Sequence, residues 1–407
     1  MRKRAFLGQA ALCGAAALLF ATGQARADFS DHKIKMGILD DFSGQYCVGD
    51  CKGPVNAVQI AIDEFGGKIN GTPIELIWGD HQNKPDAGVS LANKWYDVEQ
   101  VDVILDVVNS AVALAVQEIA RHKGKAVMYS EAGSADLTGK ACAPFSAQWT
   151  YDTYQFARTI REAVPVLGKK WFVLAADYNF GKLLAAGVQA NVPQAGGEVL
   201  GVVFHPFGAS DFSSFILQVQ AAKPDVLALA DSGGDMTNAI KAAKEFGLID
   251  AGIKIVPMSL DLTLIEGMGG LDLVQGMFVP LPWYSGLKPE ALKFSQEFKK
   301  RQGNAAPYLM AGLYSAARTY LLAAQATNSD DPKLIFDWMR KTVINDAFTN
   351  HGVLREDGRM VHDVFLTQLK KPSESSGPDD LSKLVATIPG DKAFRPMAEG
   401  NCPYVKN

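Results

Sequence analysis

The chain has 407 residues, of which 40 are basic and 44 acidic, giving a formal net charge of −4. Its first 27 residues hold four of the basic residues and no acid, so the remaining 380 carry 36 basic against 44 acidic side chains, a net charge of −8. Nucleic acids and anionic membrane surfaces bind to basic faces, so this balance argues against both as partners. A length of 380 residues is enough for two domains.

The segment 1–27 has the pattern of a cleaved signal peptide. Met1–Arg4 is basic, Ala10–Ala21 is apolar, and Ala25–Ala27 offers a small-x-small cleavage site. The apolar run is shorter than the roughly 20 residues that span a membrane, which disfavours a retained anchor. Lipoprotein processing at Cys13 is also disfavoured, because a leucine precedes that cysteine. The sequence therefore predicts export to the periplasm.

Short apolar runs alternate with helical patterns along the first part of the mature chain, which predicts a parallel sheet with crossover helices. The predicted strands are Ile34–Leu39, Pro73–Trp78, Val101–Val108 and Lys125–Ser130. Helical patterns lie between them, with apolar positions from Val55 to Phe65 and over Asp86–Tyr96 and Ala111–His122.

The same alternation starts again after Cys142. The predicted strands are Lys170–Ala176, Glu198–Phe204, Asp225–Ala230, Ile253–Met258 and Gly276–Pro282. The predicted helices are Thr153–Val166, Lys182–Ala195, Phe212–Ala222 and Met236–Phe246. Two similar halves in tandem predict an α/β fold with two Rossmann-like lobes, each built on a parallel-type sheet.

The last third resembles neither half. It predicts three helices and an alternating segment around the turn Asp357-Gly358: Pro289–Gln302, Tyr308–Ala326, Lys333–Thr342 and Val353–Lys370. Such late material suggests that the chain recrosses between the lobes, which would make a multi-crossover hinge. We expect one lobe to comprise 28–148 and 283–352, and the other 149–282 and 353–407.

After removal of the leader the chain has four cysteines: Cys47, Cys51, Cys142 and Cys402. Exported cysteines form disulfides by default, and four of them allow three pairings. Pairing Cys47 with Cys51 closes a small loop and leaves Cys142 for Cys402. A metal site is disfavoured because no histidine flanks these cysteines.

Motifs of catalysis are missing from the sequence. It has no His-Glu-x-x-His pair, no Gly-x-Ser-x-Gly elbow and no phosphate-binding loop, and none of its six histidines forms a close metal pair. Asp80-His81 is an isolated acid–base dipeptide, for which a surface loop is the better interpretation. We therefore expect no catalytic residue, no metal and no cofactor.

Polar and aromatic residues instead follow the predicted strands, at the sheet edge where open α/β folds bind ligands. These turns are 42–46, Asn109-Ser110, 130–134, 178–180, 231–234 and Leu260-Asp261. Asn109-Ser110 and the turn ending at Ser134 also begin helices, whose free N–H groups favour a carboxylate, so they are the candidate carboxylate cradle. Helix capping is the alternative role for each such turn.

The order and spacing of these segments resemble the leucine/isoleucine/valine-type solute-binding proteins of ATP-driven importers. The resemblance rests on the opening of Ile34–Gly44, on Asp177–Gly181, on Asp211–Ser214 and on Asp357–Arg359, and it runs over essentially the whole mature chain. It implies two lobes joined by three crossovers that close on a ligand without catalysis. It also implies a membrane permease and an ATPase as partners of a monomeric protein.

By position, the resemblance assigns ten residues to ligand binding: Tyr46, Asn109, Ser110, Gly133, Ser134, Tyr178, Phe180, Ser232, Gly233 and Asp261. Asp261 lies near the second-lobe acid that holds an ammonium group in amino-acid binders, but it is shorter than the usual glutamate. The sequence looks closer to an offshoot that includes binders of aromatic acids. A carboxylate on an apolar body, either a hydrophobic amino acid or an aromatic acid, fits both branches. The alternative function is a ligand-sensing receptor subunit for amides or other small metabolites.

Overall fold

The computed structural model describes residues 29–47 and 51–405. The predicted signal peptide, residues 1–27, lies outside the described residues. Within them the chain forms two parallel sheets with helices on their faces, as the alternation of strands and helices predicts. The fold class expected from the sequence is confirmed.

Lobe 1 is built on a six-stranded sheet with the strand order β2-β3-β1-β4-β5-β6, parallel except for the β2–β3 pair. Its strands are β1 (Ile34–Asp40), β2 (Lys68–Ile69), β3 (Thr72–Asp80), β4 (Val103–Asp106), β5 (Ala126–Tyr129) and β6 (Ser146–Gln148). Its helices are α1 (Gly53–Glu64), α2 (Pro85–Asp97) and α3 (Ser110–Lys123). All seven residues of β1 are buried, as expected for a strand covered on both faces.

Helix α2 approaches this sheet closely because two glycines leave room for one indole. A Cβ atom on Gly37 would lie 2.7 Å from the ring of Trp95, and one on Gly79 would lie 2.9 Å from it. Gly37 is in β1 and Gly79 is in the neighbouring β3. The buried ring of Trp95 thus packs directly against the backbone of these two glycines.

Lobe 2 is built on a four-stranded parallel sheet with the order β10-β9-β7-β8. Its strands are β7 (Lys170–Ala176), β8 (Glu198–His205), β9 (Val226–Ala230) and β10 (Lys254–Pro257). Its helices are α4 (Thr153–Thr159), α5 (Val164–Leu167), α6 (Asn179–Gln194), α7 (Ser213–Ala222), α8 (Gly233–Glu245) and α9 (Leu262–Gly267). The single helix expected over Thr153–Val166 is broken before α5, where Pro165 lacks the N–H group that a continuous helix needs.

The last third completes both lobes. Its elements are β11 (Phe278–Leu281), α10 (Pro289–Gln302), α11 (Tyr308–Thr327), α12 (Pro332–Lys341), β12 (Val353–Leu354), β13 (Met360–Val361), β14 (Val364–Leu369), β15 (Ser382–Ile388) and α13 (Gly390–Ala393). Helices α10 and α11 pack on α1 of lobe 1, whereas β11, β14 and β15 form an antiparallel sheet next to β10. The short β12–β13 hairpin turns at the predicted Asp357-Gly358.

The chain passes between the lobes after β6, after β11 and after β13, which gives the three crossovers that the resemblance implies. The bounds of the two lobes, 28–148 with 283–352 and 149–282 with 353–407, stay a proposal. Disulfides join Cys47 to Cys51 and Cys142 to Cys402. The second disulfide attaches the end of the chain to a loop of lobe 1.

Candidate ligand-binding cleft

A cavity of about 440 Å³ lies between the two lobes, at the carboxyl ends of their parallel strands. Both sheets contribute to its wall, and the end of α10 and the start of α11 close one side. Eight of the ten residues predicted to bind ligand line it: Tyr46, Ser110, Gly133, Tyr178, Phe180, Ser232, Gly233 and Asp261. These residues lie together because they belong to the loops at the carboxyl ends of the parallel strands, which is where open α/β sheets bind ligands.

The other two predicted residues, Asn109 and Ser134, are not part of the cavity wall. Asn109 Oδ1 accepts hydrogen bonds from the N–H groups of Ala111 and Val112, at 2.9 and 3.3 Å, and so caps α3. Ser134 Oγ accepts one from the N–H of Asp136 at 3.3 Å and is fully buried. Both side chains therefore have the capping role that was the alternative. Ser110, the first residue of α3, is the member of the predicted cradle that faces the cavity, and ligand contacts from Asn109 and Ser134 stay a prediction.

The first loop of lobe 1 is shaped by one carboxylate. Asp41 accepts hydrogen bonds from the N–H groups of Gly44 and Tyr46, at 2.7 and 2.9 Å, and from the amide of Asn83. These bonds turn the chain so that Tyr46 points across the cleft. The disulfide at Cys47 follows directly and closes the loop.

The lobes contact each other around the cavity, so the structure is a closed form. The hydroxyls of Tyr46 and Tyr178 share a hydrogen bond of 2.5 Å, and Gly234 N–H donates to the backbone oxygen of Gln45 at 3.3 Å. The ring of Phe207 packs on both tyrosines, with centroid distances of 5.8 Å to Tyr46 and 5.0 Å to Tyr178. Burial raises the pKa of both tyrosines, so their hydroxyls stay protonated and can form this bond at neutral pH.

Removing the hydroxyl of Tyr178 is expected to weaken ligand binding about fivefold, because one interlobe hydrogen bond is worth roughly 1 kcal/mol. Titration calorimetry on Tyr178→Phe, Tyr46→Phe and the double variant measures the effect. The double variant should lose no more affinity than either single one, since both remove the same bond. Fully additive losses would show that the two hydroxyls act separately.

Sequence reasoning missed a cluster of three acids at the cavity, two of which, Asp40 and Glu131, line its wall. Asp40 at the end of β1, Asp106 at the end of β4 and Glu131 just after β5 each place one carboxylate oxygen within 4.8 Å of the other two. All three are buried, with 4%, 0% and 7% of their surfaces exposed. Burial raises the pKa of Asp40 to about 7, and burial together with the neighbouring acids raises those of Asp106 and Glu131 well above their ordinary values.

The dipeptide Asp80-His81 has a structural role. The side chain of Asp80 accepts hydrogen bonds from Ser43 Oγ at 2.6 Å and from Gln82 N–H at 2.8 Å. His81 is fully buried, its Nδ1 accepts a bond from the N–H of Asn83 at 3.0 Å, and burial lowers its pKa to about 4. The expected surface loop is wrong for His81, which is buried at the end of β3, and this neutral histidine engaged in a turn has a structural role.

Two lobes closed over a cavity of this size have the architecture of a solute-binding protein. A family model described as "Periplasmic binding protein" matches residues 33–377. The chain is 40% identical to a periplasmic binding protein of Burkholderia mallei whose crystal structure superimposes with a TM-score of 0.88, covering 92% of this chain and all of that one. It is 34% identical to a branched chain amino acid ABC transporter periplasmic ligand-binding protein of Burkholderia xenovorans, with a TM-score of 0.81 and coverage of 91% and 100%.

Among curated proteins, the Leu/Ile/Val-binding protein homolog 4 of Brucella abortus is 26% identical over 323 residues, which is 76% of this chain and 75% of that protein. The chain therefore belongs to the periplasmic binding protein family, with the type I architecture expected from the sequence. Members of this family are extracytoplasmic and bind solutes rather than catalyse reactions. Across residues 29–47 and 51–405, none of the helices has the length and apolar character to span a bilayer.

Proposed function

We propose that the chain is the exported solute-binding component of an ATP-driven importer and captures one small organic molecule by closing its two lobes. The observation that carries the proposal is the closed cavity of about 440 Å³, walled by both lobes and bridged by Tyr46 and Tyr178. A cavity of this size suits a single small ligand. The partners would be a membrane permease and its ATPase, and the binding protein would act as a monomer after removal of residues 1–27 in the periplasm.

The ligand proposed from the sequence has a carboxylate on an apolar body, as in a hydrophobic amino acid or an aromatic acid. Ser110 supports this because it lines the cavity at the N-terminus of α3, where the positive end of the helix dipole favours an anion. The buried rings of Tyr151 and Phe180 offer an apolar wall. The amino-acid branch is supported by two relatives, the branched chain amino acid ABC transporter periplasmic ligand-binding protein of Burkholderia xenovorans and the Leu/Ile/Val-binding protein homolog 4 of Brucella abortus.

A screen of ligands by thermal unfolding tests this function. The mature protein is scanned against hydrophobic amino acids, aromatic acids, aliphatic acids and amides. A true ligand at 100 times its dissociation constant should stabilise the folded protein by about 2.7 kcal/mol. The hit should also lower the radius of gyration in small-angle scattering, because closure on the ligand would bring the two lobes together.

The outcomes separate the alternatives. Chemical turnover of a bound compound would contradict a binding protein. Selective stabilisation by amides would favour the ligand-sensing receptor subunit of the same fold. If no compound stabilised the protein or closed its lobes, the proposed ligand class would be wrong.

A further inference from the structure

The described part of the cavity wall is acidic and includes no balancing base. Its described lining residues include five acids and no lysine, arginine or histidine: Asp40, Asp41, Glu131, Asp261 and Glu266. A ligand that carries only a carboxylate would be repelled by this wall, and a ligand with a positive group would be attracted to it. Asp41 is engaged in holding the first loop, and Asp261 Oδ1 caps α9 by accepting bonds from the N–H groups of Thr263 and Leu264. Other acids than Asp41 and Asp261 must therefore carry most of the negative charge that a ligand can reach.

The carboxylates of Asp40, Asp106 and Glu131, called the acid triad below, form the acidic cluster that a ligand in the cavity can reach. Asp106 faces both the N–H group and the side chain of Glu131, so these two acids share a contact with each other. Oε1 of Glu131 receives no hydrogen bond of regular geometry from the described residues. A buried carboxylate without donors is costly unless a positive charge or a proton accompanies it. Asp40 and Glu131 line the cavity, so the triad opens directly onto the ligand.

The groups that face the triad do not supply a positive charge. They come from the first loop, the end of β3, lobe 2 and the hinge, and they are Asp41, Asp80, His81, Asp261, Tyr151 and Tyr308. His81 Nε2 lies 3.9 Å from Asp40 Oδ1, but with a pKa near 4 this histidine is neutral at pH 7. Three carboxylates this close cannot all ionise by themselves, so the triad holds protons at neutral pH.

We propose that Asp40, Asp106 and Glu131 form a cation subsite in lobe 1, which binds an ammonium or amidinium group of the ligand and releases a proton as it does so. The inference rests on the proposed function and adds a charged group to its ligand. It also places that group opposite the lobe-2 acid, Asp261, which the family resemblance assigns to an ammonium. The rings of Tyr46, Tyr151, Tyr178 and Phe180 line the same cavity and can pack on the apolar part next to the charge.

Matched ligands that differ only in their charged groups test this subsite. Calorimetry compares phenylalanine with 3-phenylpropanoate and phenethylamine, and leucine with 4-methylpentanoate and 3-methylbutylamine. In each set, the compounds with an amine should bind about 100-fold tighter than the deaminated acid, since a buried charge would lose its partner. Their binding enthalpy should vary with the ionisation enthalpy of the buffer, which measures the released proton.

The pH dependence tests the same point without a mutation. The pKa of Asp40 is raised to about 7, so the triad gains a negative charge as the pH rises through 7. Affinity for the amines should therefore rise about fivefold between pH 6 and 7, reach about tenfold by pH 8 and level off above it. Affinity for the deaminated acids should fall or stay constant over the same range.

Two variants locate the subsite. Glu131→Gln keeps the shape and removes a charge, and it should weaken amine binding at least about 30-fold and remove most of the proton release. Asp102→Asn is the matched control, because Asp102 is a buried acid of lobe 1 at the opposite end of β4 and lies outside the cavity wall. Its effect on affinity should stay within about twofold.

Three results would overturn the subsite. Deaminated acids that bind as tightly as the amines would leave the solute-binding function standing and refute the cation. Loss of amine binding in Asp261→Asn, with Glu131→Gln unaffected, would place the cation in lobe 2. Stabilisation of the protein by Ca²⁺ alone, lost in Glu131→Gln, would show that an inorganic ion occupies the triad. A failure of every small molecule to bind would instead contradict the proposed function itself.

Discussion

Replacing Gly233 with alanine is expected to weaken ligand binding by about tenfold or more while the chain still folds. Gly233 begins α8 of lobe 2, and a Cβ atom there would lie 2.8 Å from the backbone oxygen of Gln45 in lobe 1. A side-chain rotation cannot relieve a contact with backbone, so the lobes would have to stay further apart. Because tight binding requires the closed form, a cost of about 1.4 kcal/mol to closure appears as a tenfold loss of affinity. Titration calorimetry with the ligand found by the screen measures it.

Gly247→Ala is the matched control for this prediction. Gly233 and Gly247 both have a positive φ, 59° and 72°, so alanine is strained at either position. A Cβ atom on Gly247, however, would meet no described atom within 4 Å. The two variants should lose similar free energy of unfolding, on the order of 1 kcal/mol, and only the first should lose affinity. Equal affinities in both variants would show that closure does not bring α8 against the first loop.

The fold could be predicted where apolar patterns are strong. Strand β7 was predicted as Lys170–Ala176 and α10 as Pro289–Gln302, and both bounds match the structure. In β7, six of seven residues are buried, so the sequence shows a continuous apolar run. Strand β15 was missed because most of its residues are exposed, so its sequence has no apolar pattern. Main-chain pairing with β14 holds this strand in place.

The candidate site could be predicted only in part, because its acids depend on how the strands align. Asp106 stood inside the predicted strand Val101–Val108, where it interrupts an apolar run without forming a motif. The pairing of Leu39 with Asp106 between β1 and β4 places it beside Asp40, and no local pattern reveals that register. The available signal was an acid at or just after the ends of three strands, which is informative only once β1, β4 and β5 are known to be neighbours.

Replacing Arg359 with methionine is expected to lower the free energy of unfolding by about 3–5 kcal/mol, because several buried partners would lose their donor. Arg359 is fully buried directly before β13, which precedes the third crossover, and donates to the backbone oxygens of Trp149 and Tyr151 in the first crossover, at 2.6 and 2.9 Å. Its Nη1 lies 3.6 Å from Asp152 Oδ2, and its guanidinium lies 4.4 Å from the centre of the Phe394 ring. One side chain thus joins the first crossover to the hairpin that leads into the third.

Denaturant unfolding of Arg359→Met, Arg359→Lys and Arg318→Met measures that contribution. Lysine keeps the charge, but its single ammonium cannot reproduce the planar fork that reaches two carbonyls, so it should recover less than half of the loss. Arg318 pairs with Glu64 at 2.8 Å on the partly exposed surface, where an ion pair is worth at most about 1 kcal/mol. A midpoint of Arg359→Met close to that of Arg318→Met would contradict the role of Arg359 in the hinge. A large loss would show that the bonds from Arg359 to Trp149 and Tyr151 in the first crossover contribute to the stability of the fold.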